Sequence, residues 1–316
     1  MVTDQTIDLI TVGLTTLDVA VKSVTRLPAA DEGELVEAIT LSPAGTAGGT
    51  AAIAARLGLH VSLVSALGND PQGDTVAAML AREGVDLAMV PRLDSMPTST
   101  TVLPLAPDGG RPTLHMIGAS VAAPIPEAAF AALPRTHAVH FGGVGFPGPQ
   151  SNGAAFLEAA RQEGAHTTCD LISPGPDTLE HLADLLPHID LFMPSLAEVR
   201  ALLGNEVDLA SAAKQFQAMG AGSCLFKLGR DGAALYTEDT AISVGAFAID
   251  AIDTTSCGDA LCAGYHVGRT RGVKGRDLLR FASATAACVA MGLGTWGTLD
   301  GPQSVLDLID RHGFHD

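Results

Sequence analysis

The sequence predicts an α/β protein: a mostly parallel sheet covered by helices on both faces, with a small β-sheet standing apart. Three observations carry that expectation. Short, β-rich apolar runs alternate with Ala-rich or amphipathic stretches, as parallel strands joined by crossover helices require. Glycine is abundant, 35 of 316 residues. That is about 11% against an ordinary 7% or so, and most of it falls where apolar runs end, as βα and αβ connections do. Two stretches, 19–41 and 98–116, break the rhythm with strand-like alternation and little helical period.

The elements follow in order. Residues 7–12 form a strand that closes at Gly13. Residues 49–57 are an Ala-rich helix stopped by Gly58, 60–66 the next strand, and 75–82 a helix before Gly84. In 98–116 a Thr-rich run, the turn Pro107-Asp108-Gly109-Gly110 and Pro-Thr-Leu-His-Met read as a hairpin. Short buried strands are expected at 138–141, 166–169, 191–193 and 224–228, with helices at 154–161, 179–186 and 209–219 between them. Residues 244–252 alternate like a strand, and a helix of small residues starts around Ser256. No repeat, low-complexity tract or linker divides the chain, so a second lobe is an insertion. The expected core is 1–12, 46–96 and 121–316, and the expected lid is 13–45 with 97–120.

Composition narrows the function classes. Eighteen Lys and Arg against 35 Asp and Glu give a formal charge of −17. Nucleic-acid scaffolds need clustered cations, and anionic membranes attract them, so both partners are disfavoured. With 47% apolar and 17% charged residues the chain is neither disordered nor a coiled coil. No stretch approaches the roughly 18 apolar residues of a membrane span. The first residues show no basic segment leading into an apolar one, so a cytoplasmic protein without a signal peptide is expected. Cys169, Cys224, Cys257, Cys262 and Cys288 make no CxxC pair, so free, mostly buried thiols are expected.

Two segments offer chemistry. Asp253-Thr-Thr-Ser-Cys-Gly-Asp-Ala260 precedes a helix start, where backbone N–H groups bind anions without basic side chains. Asp259, in the first helical turn, is held ionised by the helix dipole and can accept a proton from an alcohol. The same residues also suit an ordinary Asp/Thr/Ser cap. In 44–58, Gly48-Gly49 at a helix start lets backbone approach a ligand closely, or simply makes a tight loop. Neither GxxxxGK[ST] nor GxGxxG occurs, which weighs against P-loop NTPases and dinucleotide-binding enzymes. Scattered His115, His137, His140 and His166 read as structural or surface residues. Trp296 reads as packing or a nucleotide neighbour, Arg111 as a solvated lid residue or a substrate contact. The segment 141–146 is a pocket lining or a plain glycine loop.

Together these segments resemble the ribokinase family of carbohydrate and nucleoside kinases, nearly end to end. The resemblance rests on 7–18 (IDLITVGLTTLD), 48–58, 64–73 (VSALGNDPQG), 189–203 (IDLFMPSLAEVRALL), 227–232 (KLGRDG), 253–264 (DTTSCGDALCAG) and 281–294 (FASATAACVAMGLG). It implies a ribokinase-like three-layer α/β/α core with a small β-sheet lid, and an ATP-dependent sugar kinase using Mg2+ and optionally K+. By resemblance, Asp259 is the catalytic base, with an anion hole at Ser256, Cys257 and Gly258. Thr16, Asp18, Gly48 and Gly49 match sugar-binding positions. Ser195, Lys227, Leu228, Gly229, Gly232, Gly258 and Ser283 match the nucleotide side, and Glu198 matches the element that holds magnesium through water. Asp253, Thr255, Val289, Gly292, Gly294 and Thr298 match a potassium site. A homodimer through the lid is implied in the same way. Six positions depart from the family pattern, among them Thr16, which stands where ribokinase itself has Asn. Ile53 and Ser195 stand where Asn is usual, Ser256-Cys257 replaces Gly-Ala, and Thr50 replaces the Lys of kinases acting on sugar phosphates. The alternatives are a nucleoside kinase, disfavoured by 4% aromatic content, and a non-catalytic sugar or nucleotide sensor.

Overall fold

The computed structural model describes residues 6–26, 28–107, 110–122, 124–145 and 152–312. The chain opens with β1 (Leu9–Val12), β2 (Thr16–Lys22), β3 (Ala38–Ala44), α1 (Gly48–Arg56), β4 (Val61–Val64) and β5 (Leu67–Gly68). Next come α2 (Pro71–Arg82), β6 (Arg92–Leu93), β7 (Thr100–Leu105), β8 (Leu114–Met116), α3 (Glu127–Ala132) and β9 (Ala138–Val144). The middle holds α4 (Gly153–Gln162), β10 (His166–Leu171), α5 (Thr178–Leu185), β11 (Leu191–Phe192), α6 (Leu196–Leu203), α7 (Leu209–Ala218) and β12 (Cys224–Lys227). It ends with β13 (Ala233–Tyr236), β14 (Ala241–Val244), α8 (Cys257–Thr270), α9 (Gly275–Ala290) and α10 (Pro302–His312).

Eight strands make the central sheet in the order β14-β13-β12-β11-β10-β9-β1-β4. The six from β12 to β4 are parallel, and β13 and β14 add an antiparallel edge. Apolar packing covers both faces. On one side Phe141, Phe156, Phe192, Phe216 and Phe226 fill a core with Leu157 and Leu182 from α4 and α5. On the other, Leu9 and Leu63 meet Ile53 of α1, Phe281 of α9 and Val305 of α10. The continuous apolar strands read from the sequence are these doubly covered ones, since a parallel strand with helices on both faces has no side left for water.

A separate four-stranded sheet has the order β3-β2-β7-β8, with β2 and β7 parallel and the outer pairs antiparallel. The 98–116 hairpin forms as expected, pairing Thr100 with Met116, although turn residues 108–109 lie outside the described residues. The stretch 244–252 does not extend as a strand. β14 ends at Val244, and 245–252 run on without a ladder partner. Phe247 is what produced the alternation: it is buried beneath the Arg280 guanidinium, 4.2 Å from its ring, as packing rather than sheet pairing. No helix among the described residues is long and apolar enough to cross a membrane.

Candidate active site

The start of α8 is built by one carboxylate. Asp253 Oδ1 accepts from Thr255 N at 2.8 Å and Thr255 Oγ1 at 2.5 Å, while Oδ2 accepts from Gly294 N at 3.0 Å. With 253–255 pinned, Ser256 takes a left-handed backbone (φ 55°), which a non-glycine residue enters only at a cost of about 1 kcal/mol or more. That bend turns the chain into α8. Its leading N–H groups have no intrahelical acceptor, which leaves donors beside the cleft that Ser256, Cys257, Gly258 and Asp259 line.

Asp259 projects where α8 meets α1. A β-carbon on Gly49 would lie 2.7 Å from Asp259 Oδ2, so the glycine is what makes room for the carboxylate. Desolvation raises the Asp259 carboxyl to about 7; Asp170 adds to the rise, and Lys227 and Ser256 oppose it. A group balanced there can exchange a proton with an alcohol near neutrality.

The floor carries a charged pair. Lys227 Nζ donates to Asp170 Oδ1 at 2.5 Å, with side chains 10% and 2% exposed. The Cys262 thiol, on α8, donates to Asp170 Oδ2 at 3.7 Å. Asp170 and Cys262 also lie with His140 within a metal-sized 4.8 Å group. Its charge is already met by the lysine ammonium, and burial keeps the thiol protonated by holding its pKa well above the ordinary range. Beside the pair, Ser195 and Glu198 form a capping box for α6. Ser195 N donates to Glu198 Oε2 at 2.6 Å, and Glu198 N donates to Ser195 Oγ at 3.3 Å. Ser at the position where the family pattern has Asn thus completes an S-x-x-E signature that is legible in the sequence. Burial raises the Glu198 carboxyl above its ordinary value.

The separate sheet supplies the opposite wall. Asp18 on β2 is buried and accepts from Thr16 Oγ1 at 2.8 Å, and burial raises its pKa. Gly48 packs against the Thr15 side chain. Arg111, in the β7–β8 connection, donates from Nη1 to Thr255 Oγ1 at 2.7 Å and lines the cleft. Arg111 is exposed, as a solvated residue would be, and its bond to Thr255 also ties the small sheet to the α8 start.

The cleft, about 590 Å³, has an apolar side made by Phe247, Ile249, Ala286 and Ala290, and a polar end at Lys227, Glu198 and the α8 start. Gly229 and Gly232 line it too, in a turn closed by Leu228 N donating to Gly232 O at 2.9 Å. Ser283 Oγ opens onto it from α9, buried and without a protein partner. An apolar slot ending in a few convergent polar groups, with one unpaired hydroxyl, is the form of a small-molecule site. Thr16, Asp18, Gly48, Gly49, Leu228, Asp253, Thr255, Val289, Gly292, Gly294 and Thr298 do not line this cleft. The last six are the suggested cation positions. There Gly294 N reaches Asp253, and Thr298 Oγ1 donates to Cys288 O at 2.9 Å.

Other expectations resolve locally. Ile53 is fully buried in apolar core, so this position contributes packing rather than a hydrogen bond. Trp296 packs under the Arg56 guanidinium at 4.5 Å, not in the cleft. His140 and His166 are not scattered: they meet His266 at ring separations of 5.7 and 6.4 Å, and burial holds His140 down to about 4. His115 bonds Thr101, and His137 faces Asp8. Gly142 and Gly143 admit the Thr46 side chain, whereas Phe146 lies outside the described residues. Four of the five thiols are buried and all are free. Sequence reasoning missed Asp170 altogether. Its only signal was a carboxylate ending the apolar run Thr-Thr-Cys-Asp-Leu-Ile.

Comparison with known proteins agrees with this architecture. A nucleoside kinase of Methanothermobacter thermautotrophicus is 26% identical over 293 residues, covering 91% of each chain. The structure of Arabidopsis thaliana ribokinase complexed with ribose and ATP superposes with TM-score 0.82 at 25% identity, over 96% of this chain and 99% of that one. A putative E. coli ribokinase II in complex with ATP and Mg2+ shares the fold at TM-score 0.81 and 22% identity, over 96% and 99%. The family model described as pfkB family carbohydrate kinase matches residues 6–299, and the chain belongs to that family.

Proposed function

We propose that this protein transfers the γ-phosphate of ATP to a primary hydroxyl of a small, unphosphorylated sugar in the cytoplasm, with Asp259 as the base. The observation that supports it most is the Asp259 carboxylate, set against Gly49 between the small-sheet wall and the nucleotide-shaped slot, with its pKa raised to about 7. Asp18 and the backbone at Gly48-Gly49, with Thr16 behind, would fix the sugar hydroxyls. Asp259 takes the hydroxyl proton as the oxygen attacks in line. Developing charge on the transferring phosphoryl meets the N–H groups of 256–258. The Gly229–Gly232 turn and Ser283 hold the nucleotide. Glu198, braced by Ser195, would hold Mg2+ through water, and that ion supplies the positive charge that an acidic chain lacks. Asp253 and Thr255, with backbone at Val289, Gly292 and Gly294 and the Thr298 hydroxyl, would surround K+ and stiffen the loop behind the anion hole.

The lid, 13–45 and 97–120, would close over the sugar through the Arg111–Thr255 bond and exclude water from the phosphoryl group. Its outer surface exposes Leu35, Ile39, Leu41, Leu114, Met116 and Ile117, an apolar patch suited to pairing two lids in a homodimer. Similarity to a nucleoside kinase over 91% of the chain keeps a nucleoside acceptor as the second reading. A coupled ADP-release screen over pentoses, hexoses, ketodeoxy sugar acids and nucleosides, with and without K+, tests these assignments. Turnover with nucleosides only moves the acceptor class, and binding without any turnover makes the protein a sensor. Light scattering of Ile39→Asp tests the dimer: a mass equal to that of an unchanged wild-type dimer refutes the lid contact.

A further inference from the structure

We propose that Asp170 and Lys227 are positioning residues for Asp259: a shielded ion pair that sets the charge against which the base takes up and gives back its proton. The inference rests on the kinase reading above and adds the control of its base.

The geometry shows a held pair rather than a chance surface contact. Asp170 lies one residue before the end of β10, where its register with β9 shifts, and Lys227 ends β12, with β11 between them, so both side chains converge at the C-terminal edge of the sheet. Lys227 is fixed at its backbone by donating to Pro194 O at 2.9 Å, and at its tip by the 2.5 Å bond to Asp170. Asp170 is fixed in turn by Leu171 N at 2.7 Å and by the Cys262 thiol. The ammonium also lies next to the anion hole, since a β-carbon on Gly258 would sit 3.4 Å from Lys227 Nζ.

The charge around Asp259 comes from several elements. Asp18 on β2, Asp170 on β10 and Lys227 on β12 all act electrostatically on Asp259, and the pair reaches α8 on both sides of it, Lys227 Nζ toward Gly258 and Asp170 Oδ2 toward the Cys262 thiol. Glu198 on α6 bears on the same Lys227–Asp170 pair, and Arg111 in the lid connection lies close to Asp18 and Cys257. The thiols of Cys257 and Cys262 are kept protonated by burial. Lys227 is therefore the cation on the floor amid several carboxylates, and Asp170 holds it beside Asp259 instead of letting it follow an incoming phosphate. Removing either member should move the proton affinity of Asp259, and in opposite directions. A pair that only supported the fold would move neither.

The test uses the full chain carrying Asp170→Asn, Lys227→Met or Lys227→Arg. The Asp259 carboxyl is titrated by 13C NMR, with its resonance assigned by loss in Asp259→Asn, and the acid limb of kcat/KM is followed in parallel. Lys227→Met should shift the titration upward by about 1–3 pH units, the range for losing a close opposite charge. Asp170→Asn should shift it downward, and Lys227→Arg should restore the wild-type curve. Lys227→Gln, which keeps a hydrogen bond to Asp170, replaces Lys227→Met if that variant does not fold. Titrations coincident with wild type in both charge-removal variants overturn the proposal. Shifted titrations in a protein that phosphorylates no acceptor uphold it and refute the kinase reading instead. Turnover with unshifted titrations does the reverse.

Discussion

Gly49→Ala is the sharpest probe of the site, because the perturbation is one methyl group aimed at one carboxylate. The added carbon would stand 2.7 Å from Asp259 Oδ2, where ordinary contact begins at 3.4 Å. Backbone strain is not at issue, since Gly49 is not among the glycines with positive φ. Asp259 must therefore retreat by about 0.7 Å or rotate away from the acceptor. Misplacement of about 1 Å costs on the order of 10² in rate, so a loss of about 10- to 100-fold in kcat/KM is expected. Stability should change much less. The helical preference of Ala over Gly gains up to about 1 kcal/mol, against about 1–3 kcal/mol for overpacking. Steady-state ADP release on the acceptor found by the screen, with thermal unfolding followed by circular dichroism, separates the two effects. Kinetics within twofold of wild type in a normally folded variant would show that Asp259 has room to move, and would refute the steric argument.

Asp259→Asn should lower turnover by roughly 10²–10⁴ while raising stability at and above neutral pH. A carboxyl at about 7 in the folded chain, against 3.8 as the ordinary value, stabilises fully below about pH 4, and that contribution is lost as pH rises through 7. The difference is worth up to about 4 kcal/mol, and denaturant titrations of both proteins at pH 4 and 8 should show a gap near zero at the lower pH and at its full size at the higher. Ile53→Asn places an amide in a fully buried apolar site, so an equilibrium unfolding measurement should record a loss of about 3 kcal/mol or more; a neutral outcome would mean the amide finds a partner. Arg111→Ala removes the lid bond to Thr255 and should reduce kcat/KM for the acceptor about tenfold or more, with an unchanged melting temperature; unaltered kinetics would return Arg111 to solvent.

Much of this architecture was legible in the chain. Strands such as β1 and β4 are short, mostly apolar, wholly buried and bounded by glycine or turn residues, and α1 and α8 announce themselves by runs of small residues. These are local signals, and local physics enforces them. Phe247 misled because one buried ring in an extended loop mimics a strand face as well as a ladder does. The candidate site was readable where its residues are contiguous, as in 253–259. It was unreadable where the structure brings together chain segments far apart: Asp170 meets Lys227 across 57 positions, and Arg111 meets Thr255 across 144. A lone carboxylate or arginine has no periodicity and no neighbour code. Ser195–Glu198 shows the reverse case, a capping box printed in four residues and passed over in favour of a metal role.

The left-handed turn at Ser256 has a consequence for how this site tolerates inheritance. Because the donors proposed to meet the phosphate are main-chain N–H groups, no ordinary point substitution deletes them; only proline, which lacks the hydrogen, does so directly. Side chains at 256 and 257 are free to drift so long as they stay small and the bend persists, which is why Ser-Cys can occupy the place of Gly-Ala. The vulnerable point lies one step back, at Asp253, whose carboxylate holds the bend. Selection on the proposed anion hole would therefore fall on a residue that does not line the cleft.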